Sequence, residues 1–364
     1  YCPQPDFTRL FGRRYFANHR HVTVLLHAAV VRIELAPDGG HVTGLRIRGE
    51  GGRQGRLRAR AYVLCGGGIE NARLLLASSD VQPAGVGNAH DLVGRFFQDH
   101  PSATTGVLCT TRPRLAQAQF RKLRLRGLLA WPKLALTEPA QRRAGVLNAT
   151  SLLFCDYPEA SALTRAKAVA AARDPAAALR AGLRVLPHLP ELLARGAHRL
   201  VTGLAPVFTA AQVQLKAHVE QVPDAGNRIT LSDQHDRFGV PRARLHWRVH
   251  PLELATMRAV TEAAGRELHR LGFGTMTLAP WLDRGVDGAR GAIEDNYHHA
   301  GTTRMASTPA EGVVDPHCRV FGVANLHIAG SSVFPTSGYA NPTLTIVALA
   351  IRLADTLRRE LGAP

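Results

Sequence analysis

DNYHHAGTTRM at residues 295–305 and GVVDPHCRVFGVANLHIAGSSVFPTSGYANPTLTIVALA at residues 312–350 decide how this chain is read. Leu326 to Ala329 is a short apolar run between turn residues, the pattern of a buried strand. Gly330 to Gly338 is a loop of small and hydroxyl residues. Asn341 and Pro342 then open a helix, with Asn at the N-cap and Pro at the first helical position. Ile346, Leu349, Ala350 and Leu353 continue it as an apolar face, and Arg358, Arg359 and Glu360 close it. A helix start presents unpaired N–H groups and partial positive charge, which suits an anion or an electron-rich ring oxygen. An ordinary strand–helix unit has the same pattern, so the pattern alone names no ligand.

Just upstream stand His298 and His299, followed by Gly301 and Thr302. Adjacent residues on an extended segment point to opposite sides, so only one of the two rings can face a given cavity. Histidine is the side chain whose ordinary pKa suits proton transfer near neutrality. A satisfied structural histidine would look the same in sequence.

Nearer the N-terminus, residues 21–36 read as two strands with a bend near His27, and Val42 to Ile47 alternates as a half-buried strand. Leu57 to Leu64 reads as a strand entering Cys65-Gly66-Gly67-Gly68, with a helix over Glu70 to Ser78. Strand, glycine turn and helix let backbone approach a nucleotide, although Asn71 stands where a third glycine would complete GxGxxG. Strands are expected at Val146–Phe154, Ala211–Val219, Asn227–Leu231 and Ala243–Val249. A helix is expected over Pro251–Leu271, with Met257, Val260, Ala264, Leu268 and Leu271 on one face. Ala162 to Val201 is rich in Ala and Arg and reads as a surface helix pair or a loose insert. Docking on a membrane or an electron-accepting partner is the competing reading of that stretch.

His298-x-x-Gly301-Thr302-x-x-Met305, followed by Gly330-Ser331-Ser332-x-x-Pro335-x-x-Gly338-x-x-Asn341-Pro342-Thr343, resembles the C-terminal signature of the glucose–methanol–choline (GMC) flavoprotein oxidoreductases, in particular the bacterial branch acting on sugars and polyols. VTVLLHAAVVRIEL (22–35), YVLCGGGIENARLLLAS (62–78) and DLVGRFFQDHP (91–101) resemble internal segments of that family. The resemblance implies an α/β, overall α+β, fold. An incomplete FAD-binding Rossmann-like domain would be joined to an antiparallel-sheet substrate domain backed by helices. It implies 1–105 as part of the FAD domain, 106–290 as the substrate domain, and 291–364 as the return of the FAD domain with the active-site histidine and C-terminal helix. Catalytic roles fall on His298 and Asn341. FAD contacts fall on Val30, Cys65, Gly66, Gly330, Ser331, Pro342 and Thr343. Because Pro342 has no N–H, Thr343 would be the backbone donor there. The implied chemistry is oxidation of a CH–OH group of an alcohol, sugar or polyol: histidine takes the hydroxyl proton and the hydride passes to flavin N5. The family's GxGxxG and its ribose-binding acid are not in this sequence. The alternative is therefore a truncated, non-catalytic fragment that needs an N-terminal half to bind FAD. Asn341 keeps two readings, helix cap or catalytic amide.

Composition narrows the rest. The 364 residues suit two domains, and 45% hydrophobic content supports a sizeable core. The net charge of +17 raises nucleic acid as a partner. The basic residues are mostly arginines spread along the chain, and no nucleic-acid motif accompanies them, so no nucleic-acid partner is expected. The five cysteines lack CxxC spacing, so free thiols in a reducing, cytoplasmic setting are expected, with no metal site. No signal peptide is seen, although the chain begins at Tyr1 and a targeting segment could precede it. The expected small molecule is an alcohol or sugar; the electron acceptor stays open.

Overall fold

A computed structural model describes residues 20–125 and 128–362, together with Arg9 and Gly12. The chain forms two compact units. One comprises Tyr1–Val22, Ser102–Val219 and Leu254–Glu294; the other comprises Thr23–Pro101, Glu220–Glu253 and Asp295–Pro364.

In the second unit, the strand Tyr62–Leu64 pairs in parallel with Leu326–Ile328, setting Tyr62 opposite Leu326 and Leu64 opposite Ile328. Backbone bonds extend the ladder at both ends, Tyr62 N to Asn325 O at 2.9 Å and Ala329 N to Leu64 O at 2.9 Å. Each strand leads through a loop to a helix, Gly67–Ala77 in one case and Thr343–Glu360 in the other. Leu75, Ala72, Leu326 and Ile328 are fully buried in one apolar cluster, against which Ile346, Leu349 and Leu357 also pack. The apolar face expected of the C-terminal helix is thus the face that meets the core. Leu344, Val347 and Ile351 on its other side are exposed.

Ala28–Leu35, Val42–Gly49 and Gln54–Leu57 form an antiparallel sheet in sequential order. Val31 and Ile33 point into the core, as alternation requires. Two expectations need correction here. Residues 22–26 form no strand, and His27 takes a left-handed φ of +53°. The run Leu57 to Leu64 is broken into two strands, because residues 58–61 leave the ladder. The hairpin Arg228–His235 with Pro241–His246, expected in the middle of the chain, packs in this unit rather than with residues 106–219.

The first unit is built on an antiparallel sheet of Thr275–Leu278, Ser102–Cys109, Gln212–Val219, Ala149–Asp156 and Leu134–Ala135, in that spatial order. The helix Pro251–Arg270 buries Met257, Val260, Ala264 and Leu268. Leu271 falls beyond the helix end and is exposed. This is an antiparallel sheet backed by a helix. The stretch 162–201 holds three helices rather than a pair, Ala162–Ala171, Pro175–Val185 and Leu189–Thr202, started by Ser161 and Asp174 as side-chain N-caps and by Pro190. No described helix is long and apolar enough to cross a membrane.

His327, in the centre of the parallel pair, is 1% exposed. Burial first, and the charge of Arg319 second, hold its pKa below the ordinary value of 6.5. The unfolded chain therefore takes up this proton before the folded one does. Stability from a neutral His327 is present above about pH 6.5 and is lost as pH falls toward the folded value. Urea midpoints are expected to drop more for the wild type than for His327→Leu between about pH 7.5 and about pH 5.5. Parallel curves would show that another group carries the acid sensitivity.

Candidate active site

The two parallel strands end side by side, so Cys65-Gly66 and Ala329-Gly330 emerge at one edge of the ladder. Asn71 ties the two loops together: its Oδ1 accepts from Gly66 N at 2.7 Å and its Nδ2 donates to Ser332 Oγ at 3.0 Å. The departure from GxGxxG at this position thus serves as a cross-link between loops. Gly67 and Gly330 have φ of +81° and +122°, and a Cβ at either would meet nothing within 4 Å. The backbone is therefore open to a flat group at both loops. Both helices that start here, at Gly67 and at Thr343, lack a side-chain cap. Their first N–H groups are available to an acceptor.

A third segment is laced onto this edge. Thr302 Oγ1 donates to Gly68 O at 2.6 Å, Ser331 Oγ to His299 O at 2.6 Å, and Thr303 N to Ser332 O at 2.9 Å. This lacing fixes the segment that carries His298. Gly68 is the close approach: a Cβ there would lie 2.6 Å from His299 O.

The histidines are held from below by Asp99, which is 1% exposed. Its Oδ1 accepts from His100 N at 2.6 Å and from His298 N at 2.9 Å, and its Oδ2 from Asn296 N at 3.2 Å. The His298 ring then meets His100, Nδ1 to Nδ1 at 2.9 Å, with the rings edge-on at 70°. On its other side, Asn341 Nδ2 lies 3.2 Å from His298 Nε2.

Donor and acceptor roles follow in sequence. His100 Nε2 lies 3.3 Å from Ser337 O, a carbonyl that can only accept, so this nitrogen carries the proton. Neutral His100 then offers a bare Nδ1, and His298 Nδ1 must donate to it. Neutral His298 is left with its lone pair on Nε2, where the Asn341 amide donates. The tautomer of His298 is therefore set by a chain of three partners, with the basic nitrogen turned toward Asn341.

His299 faces elsewhere, as adjacent residues should. Its ring packs on Phe97 at 5.4 Å, and its Nε2 lies 3.9 Å from Asp99 Oδ2. Asp99, Asp295 and His299 have donor atoms within 4.8 Å of one another, but Asp99 already accepts three backbone bonds, which accounts for its position without an ion.

The C-terminal helix begins at Thr343, with Pro342 in the capping position at φ −75° and ψ −15°. Asn341 makes no cap, so the cap reading is corrected: its amide is turned to His298 instead. Gly330 and Ser331 lie at the loop edge beside Cys65 and Gly66, and Pro342 and Thr343 at the helix start. Val30 lies on the exposed side of the antiparallel sheet. Asp99, His100 and Ser337 were not anticipated from sequence. The available signal was the Asp-His-Pro triplet closing DLVGRFFQDHP, in which an acid and a histidine adjoin a backbone-fixing proline.

Residues 223–350 match the family profile described as GMC oxidoreductase. Over that segment the chain is similar to the GMC oxidoreductases. The chain is 26% identical over 318 residues to the fructose dehydrogenase large subunit of Gluconobacter japonicus, covering 84% of this chain and 48% of that one. It is 26% identical over 350 residues to 6'''-hydroxyparomomycin C oxidase of Streptomyces lividus, covering 94% and 53%. In fold it is similar to the crystal structure of pyridoxine 4-oxidase from Mesorbium loti, with a TM-score of 0.57 at 16% identity, covering 95% of this chain and 60% of that one. The chain spans about half the length of the curated relatives it matches. FAD is the cofactor of the family, and a further matching structure is of an FAD-dependent oxidoreductase.

A methyl group at Gly68 would press on the carbonyl and the Cβ of His299, each within 3 Å. Gly68→Ala is expected to destabilise the protein by about 1–3 kcal/mol, read from the urea midpoint. An unchanged midpoint would show that the histidine segment is slack.

Proposed function

We propose that this chain supplies the catalytic histidine and the substrate domain of an FAD-dependent oxidoreductase that oxidises a CH–OH group of a sugar or polyol. The observation that carries the reading is the chain Ser337 O, His100, His298 and Asn341, which leaves an oriented lone pair on His298 Nε2. A substrate hydroxyl placed there can donate to His298 Nε2 and accept from Asn341 Nδ2, two bonds that fix it for deprotonation. When His298 takes that proton, both its nitrogens carry hydrogen, and His100 Nδ1 continues to accept from one of them. His100 and Asp99 act as positioning residues, through the ring and the backbone of His298 respectively. The named relatives, a fructose dehydrogenase and an aminoglycoside oxidase, support a polyhydroxylated substrate.

The residues at the loop edge fit a flavin. The open backbone at Gly67 and Gly330 and the uncapped starts at Gly67 and Thr343 offer a flat face and N–H donors. Cys65, Gly66, Gly330, Ser331, Pro342 and Thr343 would hold the ring, and Val30 would meet the adenine end. FAD, when bound, supplies the acceptor for the hydride. The glycine turn that cradles the dinucleotide phosphates is not among these residues, so residues 1–364 are expected to retain FAD weakly or not at all.

Visible absorption tests both statements. Flavin peaks are expected in a protein extended to the length of its relatives and not in residues 1–364 alone. Stoichiometric FAD on the shorter chain would refute the second statement. In the extended protein, His298→Ala is expected to slow flavin reduction by sugars and polyols by about a hundredfold or more, with a smaller loss for His299→Ala. An extended protein that holds FAD and is reduced by no alcohol, sugar or polyol would favour a non-catalytic relative.

Asn341→Asp gives a sharper outcome. A carboxylate in place of the amide cannot donate to the substrate oxygen, and its charge beside Nε2 favours protonated His298. The acid limb of the pH–rate profile is expected to move up by about 1–2 units, with activity partly restored at high pH. A profile identical to wild type would remove Asn341 from the site.

A further inference from the structure

The first unit holds a cleft of 370 Å³, and none of the residues placed in the active site lines it. Its walls are aromatic: Trp131, Phe154, Tyr157 and Phe208 all line it. Trp131 stands edge-on to Phe154 at 5.0 Å, and Tyr157 edge-on to Phe208 at 6.2 Å, so the walls brace one another. Burial raises the Tyr157 phenol to about 12, so the ring stays neutral, and its hydroxyl is held by Gln117 Nε2.

The charge in the cleft has one sign. Arg121, Lys122, Lys167 and Arg199 line it, and no Asp or Glu does. Lys122 Nζ sits 4.4 Å from the centre of the Trp131 ring, and Lys167 Nζ 5.9 Å from that of Tyr157. Among the described residues no carboxylate pairs with Lys122, Lys167 or Arg199. The contrast is Arg195, which also lies over Phe208 but is paired with Glu191. Lys122, Lys167 and Arg199 instead share an aromatic hollow. Like charges brought together without a counter-ion repel, and an anion between them relieves that cost. Aromatic walls add flat apolar area and favour a planar body.

We propose that this cleft is a binding site for a small planar organic anion, an aromatic carboxylate in its simplest form. The ring would lie between Trp131 and the Tyr157–Phe208 wall, and the carboxylate would take the ammonium groups of Lys122 and Lys167. The proposal does not rest on the redox reading of the other unit.

Isothermal titration calorimetry with naphthoate, naphthylmethanol and naphthylmethylamine separates shape from charge, because the three share one ring. Naphthoate is expected to bind one per chain, about tenfold or more tighter than the alcohol, with the amine weakest. The double variant Lys122→Gln, Lys167→Gln is expected to bring naphthoate down to the affinity of the alcohol and leave the alcohol unchanged. Trp131→Leu is expected to weaken both. Arg180→Gln, outside the cleft, controls for general loss of positive charge and is expected to change nothing. Circular dichroism on each variant checks that the fold is kept. Equal affinity for acid and alcohol, insensitivity of naphthoate to the lysine pair, an equal loss with Arg180→Gln, or no binding at all would each overturn the proposal. If Trp131→Leu unfolds the protein, the lysine pair and the alcohol comparison still decide it.

Discussion

Everything at the candidate active site depends on one short parallel ladder, Tyr62–Leu64 against Leu326–Ile328. Parallel pairing forces both chains to leave the ladder in the same direction. Two loops and two helix starts therefore share an edge, the arrangement that in open α/β layers creates a binding crevice. The side-chain lacing by Asn71, Ser331 and Thr302 is a consequence, since those groups can reach one another only once the ladder is registered.

Upon that edge the polar order is strict. Asp99 is buried and accepts three backbone N–H groups, so backbone dipoles offset its charge. It thereby fixes where His100 and His298 leave the chain. The ring-to-ring bond then leaves no freedom over which nitrogen of His298 is basic. A single carbonyl, that of Ser337, decides the tautomer two rings away.

Much of this was legible in the sequence, and the reason is locality. The run Leu326–Ala329, the glycine turn at 65–68 and the helix at Pro251 are signalled by residues next to one another, and each stands where it was expected. His298 beside Asn341 was approached through motif spacing. His100 was not, because nothing within a few residues of it speaks of a partner nearly two hundred positions away. The hairpin at 228–246 was read correctly as strands. Its membership in the unit of Asp99 rests on Phe97 N bonding to Asn227 O and Ile229 N to Gly94 O, pairings no local pattern encodes. Asn341 shows the opposite failure: Asn before Pro is a strong capping signal, and a tertiary partner outbid it.

The ladder also has a price in time. Its two strands lie more than two hundred residues apart, with most of the first unit between them. The entropy of closing so long a loop rises only slowly with length, by about 0.6 kcal/mol for each doubling, so equilibrium stability is little affected. The rate is another matter, because distant contacts are slow to find. On the ribosome, Tyr62–Leu64 must wait, its edge unpaired, while the antiparallel sheet of the first unit emerges and folds. The candidate active site is therefore assembled late, and the interval before Leu326 arrives is when the unpaired edge of this strand is most exposed to aggregation.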